Sequence, residues 1–210
     1  MKKYLQFINE KNIYDVADLM LMITRNVEIY KIKDWINNMF FDINEQSRHG
    51  YTAISEAAFM NRVDLIELFI NAGADPNIPS ESGISPLMRA CFNKSTVFTQ
   101  STAKDTHNAI IDLWKNKIET IRTLVNNGAN INAVNEEGKG VLSFAAQYCM
   151  PSVVKEIIKL GADLYKLDKF ECSIYDRANK DVKKWLQKTY DIRSFDIPKD
   201  KLKHERRFDL

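Results

Sequence analysis

Glycine recurs along this chain at a fixed spacing. Gly50 and Gly83 are 33 positions apart, and so are Gly128 and Gly161. Gly73 to Gly128 and Gly83 to Gly138 are each 55 positions, so two independent landmarks assign the same 22 extra residues to one unit. A period near 33 is the mark of a repeat architecture. Each unit is too small to bury its own apolar face, so it does so by stacking on its neighbours. That excludes most folds at once.

Three segments align on this period: GYTAISEAAFMNRVDLIELFINAGADPN from Gly50, GISPLMRACFN resuming as KIETIRTLVNNGANIN, and GKGVLSFAAQYCMPSVVKEIIKLGADL from Gly138. Small pairs recur at Ala57/Ala58, Ala90/Cys91 and Ala145/Ala146, where one helix must lie close to another. Leu65, Ile66, Phe69 and Ile70, then Val153, Val154, Ile157 and Ile158, form apolar stripes at helical spacing. Gly73, Gly128 and Gly161 follow those stripes, at the point where a helix ends in a left-handed residue.

These segments resemble the ankyrin-repeat family, whose pattern is roughly G-x-T-P-L-H-x-A-A, an apolar helix, then L-L-x-x-G-A-D-x-N. The match is carried by GADPN at 73–77, GANIN at 128–132 and GADLY at 161–165. The family's T-P-L-H becomes Thr52-Ala53-Ile54-Ser55, Ser85-Pro86-Leu87-Met88 and Gly140-Val141-Leu142-Ser143, so only the middle copy keeps the proline and none keeps the histidine. The resemblance implies an all-α solenoid of helix-turn-helix units joined by short hairpin turns, with no sheet beyond them.

The register extends outward in weaker form. Residues 1–42 read as N-terminal helices with a degenerate capping repeat: a short helix over 1–12, a first helix around Asp15–Arg25, and a second over Ile32–Asn44, where Phe40 and Phe41 replace Gly-Ala. Residues 43–168 hold the core repeats, 169–190 a truncated polar cap with Glu171 in a glycine position, and 191–210 a polar tail. The insertion, 94–115, starts as a Ser/Thr-rich loop. From an N-cap at Thr106 it is expected to continue as a helix running into the ordinary second helix.

Function is bounded mainly by exclusion. A net charge of +2 gives no electrostatic footprint for nucleic acid. No apolar run approaches a membrane span, and the apolar start is broken by Gln6, Asn9 and Glu10, too soon for a signal peptide. Cys91, Cys149 and Cys172 have no paired spacing and read as reduced cytoplasmic thiols. His49, His107 and His204 stand apart from them, so neither a metal nor a cofactor is expected. No phosphate loop, carboxylate pair or Ser/His/Asp set is present, which argues against an enzyme.

The resemblance instead implies a protein-binding scaffold that uses its hairpin tips and first helices, here expected as a monomer. On those positions fall Tyr51, Ile84 and Lys139 in the hairpins, and Phe59, Met60, Phe92, Asn93, Gln147 and Tyr148 just after the small pairs. The aromatic content of that strip is the chemistry of interface anchors, and its rings are expected to be surplus to scaffold packing. An adaptor, an inhibitor, an effector delivered by a bacterium into a host cell, and a neutraliser of a toxin or enzyme all fit. An architectural, self-associating protein is the further alternative.

Overall fold

The computed structural model describes residues 16–37, 42–92 and 103–190, with backbone alone over 103–110. The expected helix over 1–12, the Phe40–Phe41 pair, Asn93, the start of the insertion and the tail lie outside these. Helices follow in pairs: α1 (Val16–Thr24) and α2 (Ile29–Asn37); α3 (Ala53–Phe59) and α4 (Val63–Asn71); α5 (Pro86–Arg89) and α6 (Ala103–Asn126). Then come α7 (Val141–Tyr148) and α8 (Pro151–Lys159), and finally α9 (Ile174–Arg177) and α10 (Lys180–Tyr190). The first helices α1, α3, α5, α7 and α9 pack in sequence as one layer, and α2, α4, α6, α8 and α10 as a second. Among the described residues the sole β feature is an isolated bridge between Val134 and Gly140. The fold is therefore the all-α repeat stack that the period requires.

The small pairs explain the close approach of the layers. Ala57, Ala58, Ala90, Cys91, Ala145 and Ala146 are all fully buried. Across from them Leu65, Ile66 and Phe69, then Ile121 and Leu124, then Val153, Val154 and Ile157 fill the space between units. Thr52 caps α3 by accepting from Ser55 N–H, Ser85 caps α5 from Met88 N–H, and Ser173 and Asp176 form a reciprocal capping box on α9.

The hairpins repeat one design four times. Ser47, Ser80, Asn135 and Asp168 each donate a backbone N–H to the carbonyl four residues on, while their side chains accept the N–H of that same residue. Successive hairpins lie against each other through their glycines. A Cβ on Gly83 would meet Glu136 N at 2.8 Å, so the residue must be glycine for packing as well as for its φ of +76°. The fourth hairpin departs from this: Glu171 takes the glycine's place and still adopts φ +58°. A left-handed conformation costs a side-chain-bearing residue roughly 1 kcal/mol. Glu171→Gly is accordingly expected to raise stability by up to about 1 kcal/mol in chemical denaturation.

On the far edge an asparagine ladder joins consecutive units. Asn44 Nδ2 donates to Gly73 O while its Oδ1 accepts Asp75 N–H. Asn77 does the same with Gly128 and Asn130, and Asn132 with Gly161 and Asp163. The terminal Asn of the G-A-D-x-N motif is thus an inter-repeat clamp. Its place in the last full repeat is taken by Tyr165, which carries no carboxamide to extend the ladder.

The insertion modifies one helix pair. α5 is cut to four residues, and α6 starts at Ala103, ahead of Thr106, which therefore lies inside the helix instead of capping it. Lys117 occupies the repeat position held by Arg62 and Met150, each of which ends a turn and caps the following second helix. In α6 the helix passes straight through that position. Lys117 is completely buried there, and its ammonium donates to Ala90 O and Phe92 O. It supplies donors to the carbonyls left over where α5 stops short. Burial holds its pKa below the ordinary value of 10.5.

Candidate protein-binding face

Among the described residues, the sequence-predicted ones fall in the hairpins and in or just after the first helices. Four of these residues need correction. Ile84 is 9% exposed and belongs to the core, because it packs inward under its own hairpin. Met60 and Phe92 are half-buried and packed against that core, so they are not surplus to the scaffold. Phe59 is half-buried too, and its ring is occupied from within.

The occupant is Arg89, which the sequence reading passed over. Its guanidinium carbon lies 3.9 Å from the Tyr51 ring centre and 4.5 Å from that of Phe59. Its Nη2 pairs with Glu56 Oε2 at 2.9 Å, with both side chains largely shielded from water. A cation between two ring faces and one carboxylate is held by cation–π attraction and by charge-assisted hydrogen bonding. Glu56 and Arg89 occupy the same position in consecutive repeats, 33 residues apart, so opposite charges in one column of the repeat alignment were the available signal. That position is taken by Phe144 in the next repeat and by Arg177 in the last.

Phe144 anchors the second group. Its ring centre is 5.3 Å from that of Phe92, which lies 5.2 Å from Tyr148. The outer member, Tyr148, is 37% exposed. Gln147 beside it is exposed, and its carbonyl accepts from Asn179 Nδ2. Lys139 is half-buried in the third hairpin with its ammonium paired to Glu137. Tyr51 lines an open groove of about 580 Å³ together with Val16, Met20, Leu21, Arg48 and Arg89. The strip therefore has two parts: a Tyr51–Arg89–Phe59 stack at the α1 end and a Phe92–Phe144–Tyr148 cluster towards α7.

Towards the C-terminal cap Phe170 stands at the fourth hairpin tip, 64% exposed, with the Arg177 guanidinium 5.8 Å from its ring centre. Arg177 in turn pairs with Asp168. Burial alone would raise the Asp168 pKa, but the N–H groups of Cys172 and Phe170 and the Arg177 guanidinium hold it below the ordinary 3.8. Asp168 thereby combines the hairpin side-chain acceptor with a cap-to-hairpin ion pair.

Among the described residues there is no group of His, Cys, Asp and Glu arranged to hold a metal ion. None of the described helices is long and apolar enough to cross a membrane.

Models of known families match this chain at two places. The ankyrin repeat matches residues 49–81, and ankyrin repeats in many copies match residues 107–155. The chain carries ankyrin repeats. The two matched stretches flank the start of the insertion, where α5 is shortened and the family spacing is lost. Among curated proteins, an ankyrin repeat protein, L86, of Acanthamoeba polyphaga mimivirus is 27% identical over 140 residues, covering 63% of this chain and 23% of the relative. The transcription factor SWI6 of Pyricularia oryzae is 31% identical over 116 residues, covering 53% and 12% respectively. This ankyrin-repeat chain thus spans less than a quarter of the length of either relative. Ankyrin repeats indicate a protein–protein interaction module.

Proposed function

We propose that this ankyrin-repeat chain binds one protein partner on the concave side of its stack, without catalysing a reaction. The observation that carries the reading is the graded exposure of the aromatic cluster. Phe92 and Phe144 are anchored in the scaffold, while Tyr148 presents its ring outward from that rigid base. An aromatic held by packing loses little entropy on binding, which is why such residues serve as interface anchors. Tyr148, Gln147, Lys139 and Tyr51 are the proposed contact residues, with Phe59, Met60 and Phe92 supporting them. Arg89 serves as the internal clamp of the Tyr51 end.

Such a module fits an adaptor, an inhibitor or an effector acting in a cytoplasm, with a toxin- or enzyme-neutralising protein as the alternative. No observation favours self-association over these, and a monomer is the expected state. Affinity capture with mass spectrometry identifies the partner, and calorimetry on the purified pair tests the face. The expected result for Tyr148→Ala is an unchanged fold and a loss of about 2 kcal/mol in binding. Unchanged affinity in a folded Tyr148→Ala, Gln147→Ala double variant counts against this face.

A further inference from the structure

The stack buries two thiols in one place, and the proposed binding function uses neither. Cys91 follows Ala90 at the end of the shortened α5 element, and Cys149 ends α7 of the next repeat. Each points across the repeat boundary. Cys91 Sγ lies 3.8 Å from Val141 O at the start of α7, and Cys149 Sγ lies 3.3 Å from the Cys91 carbonyl oxygen. The two thiols are close enough to shift each other's ionisation. Lys117 closes the cluster, with its ammonium bonded to the carbonyls of Ala90 and Phe92 on either side of Cys91.

We propose that Cys91 and Cys149 form a redox pair whose oxidation to a disulfide staples the second core repeat to the third. The chemistry requires a thiolate on one member, an approach of the other, and an oxidant. Cys149 is the first to ionise, because its Cys91 neighbour and the Lys117 charge lower its pKa. Cys91 is held protonated by its Cys149 neighbour and by its burial. A thiol oxidant of the azodicarboxamide class accepts the two electrons. Cys149 thiolate adds to its N=N bond, Cys91 sulfur then attacks Cys149 sulfur, and the S–N bond breaks. The two thiol protons end on nitrogen, so the oxidant leaves as a hydrazine and one S–S bond has formed.

Both thiols are shielded from water in the closed stack, so oxidation has to wait for the repeat boundary to open. That boundary is where α5 is cut short and a buried ammonium stands in for a normal turn. Repeat arrays open at such junctions in preference to unfolding whole. Once formed, the bond closes a long loop that contains the insertion and all of α6, and long loops gain most from closure. Cys91 and Cys149 are chain neighbours of Phe92 and Tyr148, whose rings stack, so the staple fixes the repeat boundary that this pair spans.

The test treats the full chain with diamide and follows free thiols, intact mass and peptide maps. Three thiols are free at the start, and the third, Cys172, is partly exposed and serves as the internal control. The expected product is a monomer lighter by two hydrogens, with a Cys91–Cys149 cross-linked peptide and Cys172 still alkylatable. Its thermal midpoint is expected to rise on the order of 10 °C above the reduced form and to return with reductant. Cys149→Ser is expected to give no intramolecular product. Bonding through Cys172 instead, or full reduction of Cys91 and Cys149 even on warming to just below the midpoint, overturns the proposal. So does a disulfide that forms but lowers the midpoint, because the bond would then not fit the native stack.

Discussion

Leu124→Ala is expected to destabilise the chain by about 2–5 kcal/mol, read as a shifted midpoint in chemical denaturation. Leu124 is fully buried on α6, at the repeat position taken by Phe69 on α4 and Ile157 on α8. All three side chains face the gap between neighbouring units, so a truncation there removes packing on two sides at once. α4 and α8 both pack against α6, which leaves the surroundings little freedom to collapse into the cavity. The transfer term for three lost carbons is about 2 kcal/mol, and the cavity term adds to it. A loss below about 1 kcal/mol in that experiment means that α6 does not sit between its neighbours in this register. Leu68 is the useful control, since it lies on the same layer but is only half-buried. A markedly smaller loss is expected for Leu68→Ala.

Removing the Lys117 side chain is expected to cost about 2–3 kcal/mol at neutral pH, because two carbonyls lose their donor and the buried stem loses its packing. The same variant changes how stability depends on pH. The folded pKa of Lys117 lies below 10.5, so between the two values the unfolded chain holds more protons than the folded one. Stability then rises with pH across that window, up to the unfolded value. Lys117→Met keeps the apolar stem and is expected to lose this rise, whatever its effect at neutral pH. Denaturation curves for wild type and variant at a series of alkaline pH values check both expectations. Identical slopes in the two proteins mean that the Lys117 ammonium is not buried as described.

How far the sequence led can be judged residue by residue. The glycine spacing, the small pairs and the apolar stripes each follow from a steric demand repeated in every unit, so they were visible without a structure. The asparagine ladder was visible only as a motif, since what Asn77 clamps lies in the following repeat. Ile84 was misplaced because its hairpin position is half-buried at Tyr51, Lys139 and Cys172 but fully turned inward here. Phe59 and Phe92 were read as surplus because helical periodicity cannot show a neighbour's side chain folding onto them. Arg89 was missed for the same reason, although its pairing with Glu56 was written in the repeat alignment. Lys117 needed more still: its role exists only because α5 stops early and α6 starts early, and both depend on the insertion.

The two ends of the proposed binding strip would offer a partner different surfaces. At the Tyr51 end, Glu56 and Arg89 satisfy each other, so a partner would meet the Tyr51 ring and a groove also lined by Glu45 and Arg48. At the Tyr148 end, an exposed ring is flanked by Gln147, with polar hairpins beyond. A central aromatic within a polar rim is the anatomy of a protein interface.

Hydrogen–deuterium exchange on the full chain, with and without the captured partner, tests the binding face most directly. The account predicts added protection in α7 through Tyr148 and in the hairpin-to-helix segment from Tyr51 to Met60, with α4 and α8 unchanged on the opposite layer. Protection confined to α4 and α8, or to the residues after Tyr190, would contradict it.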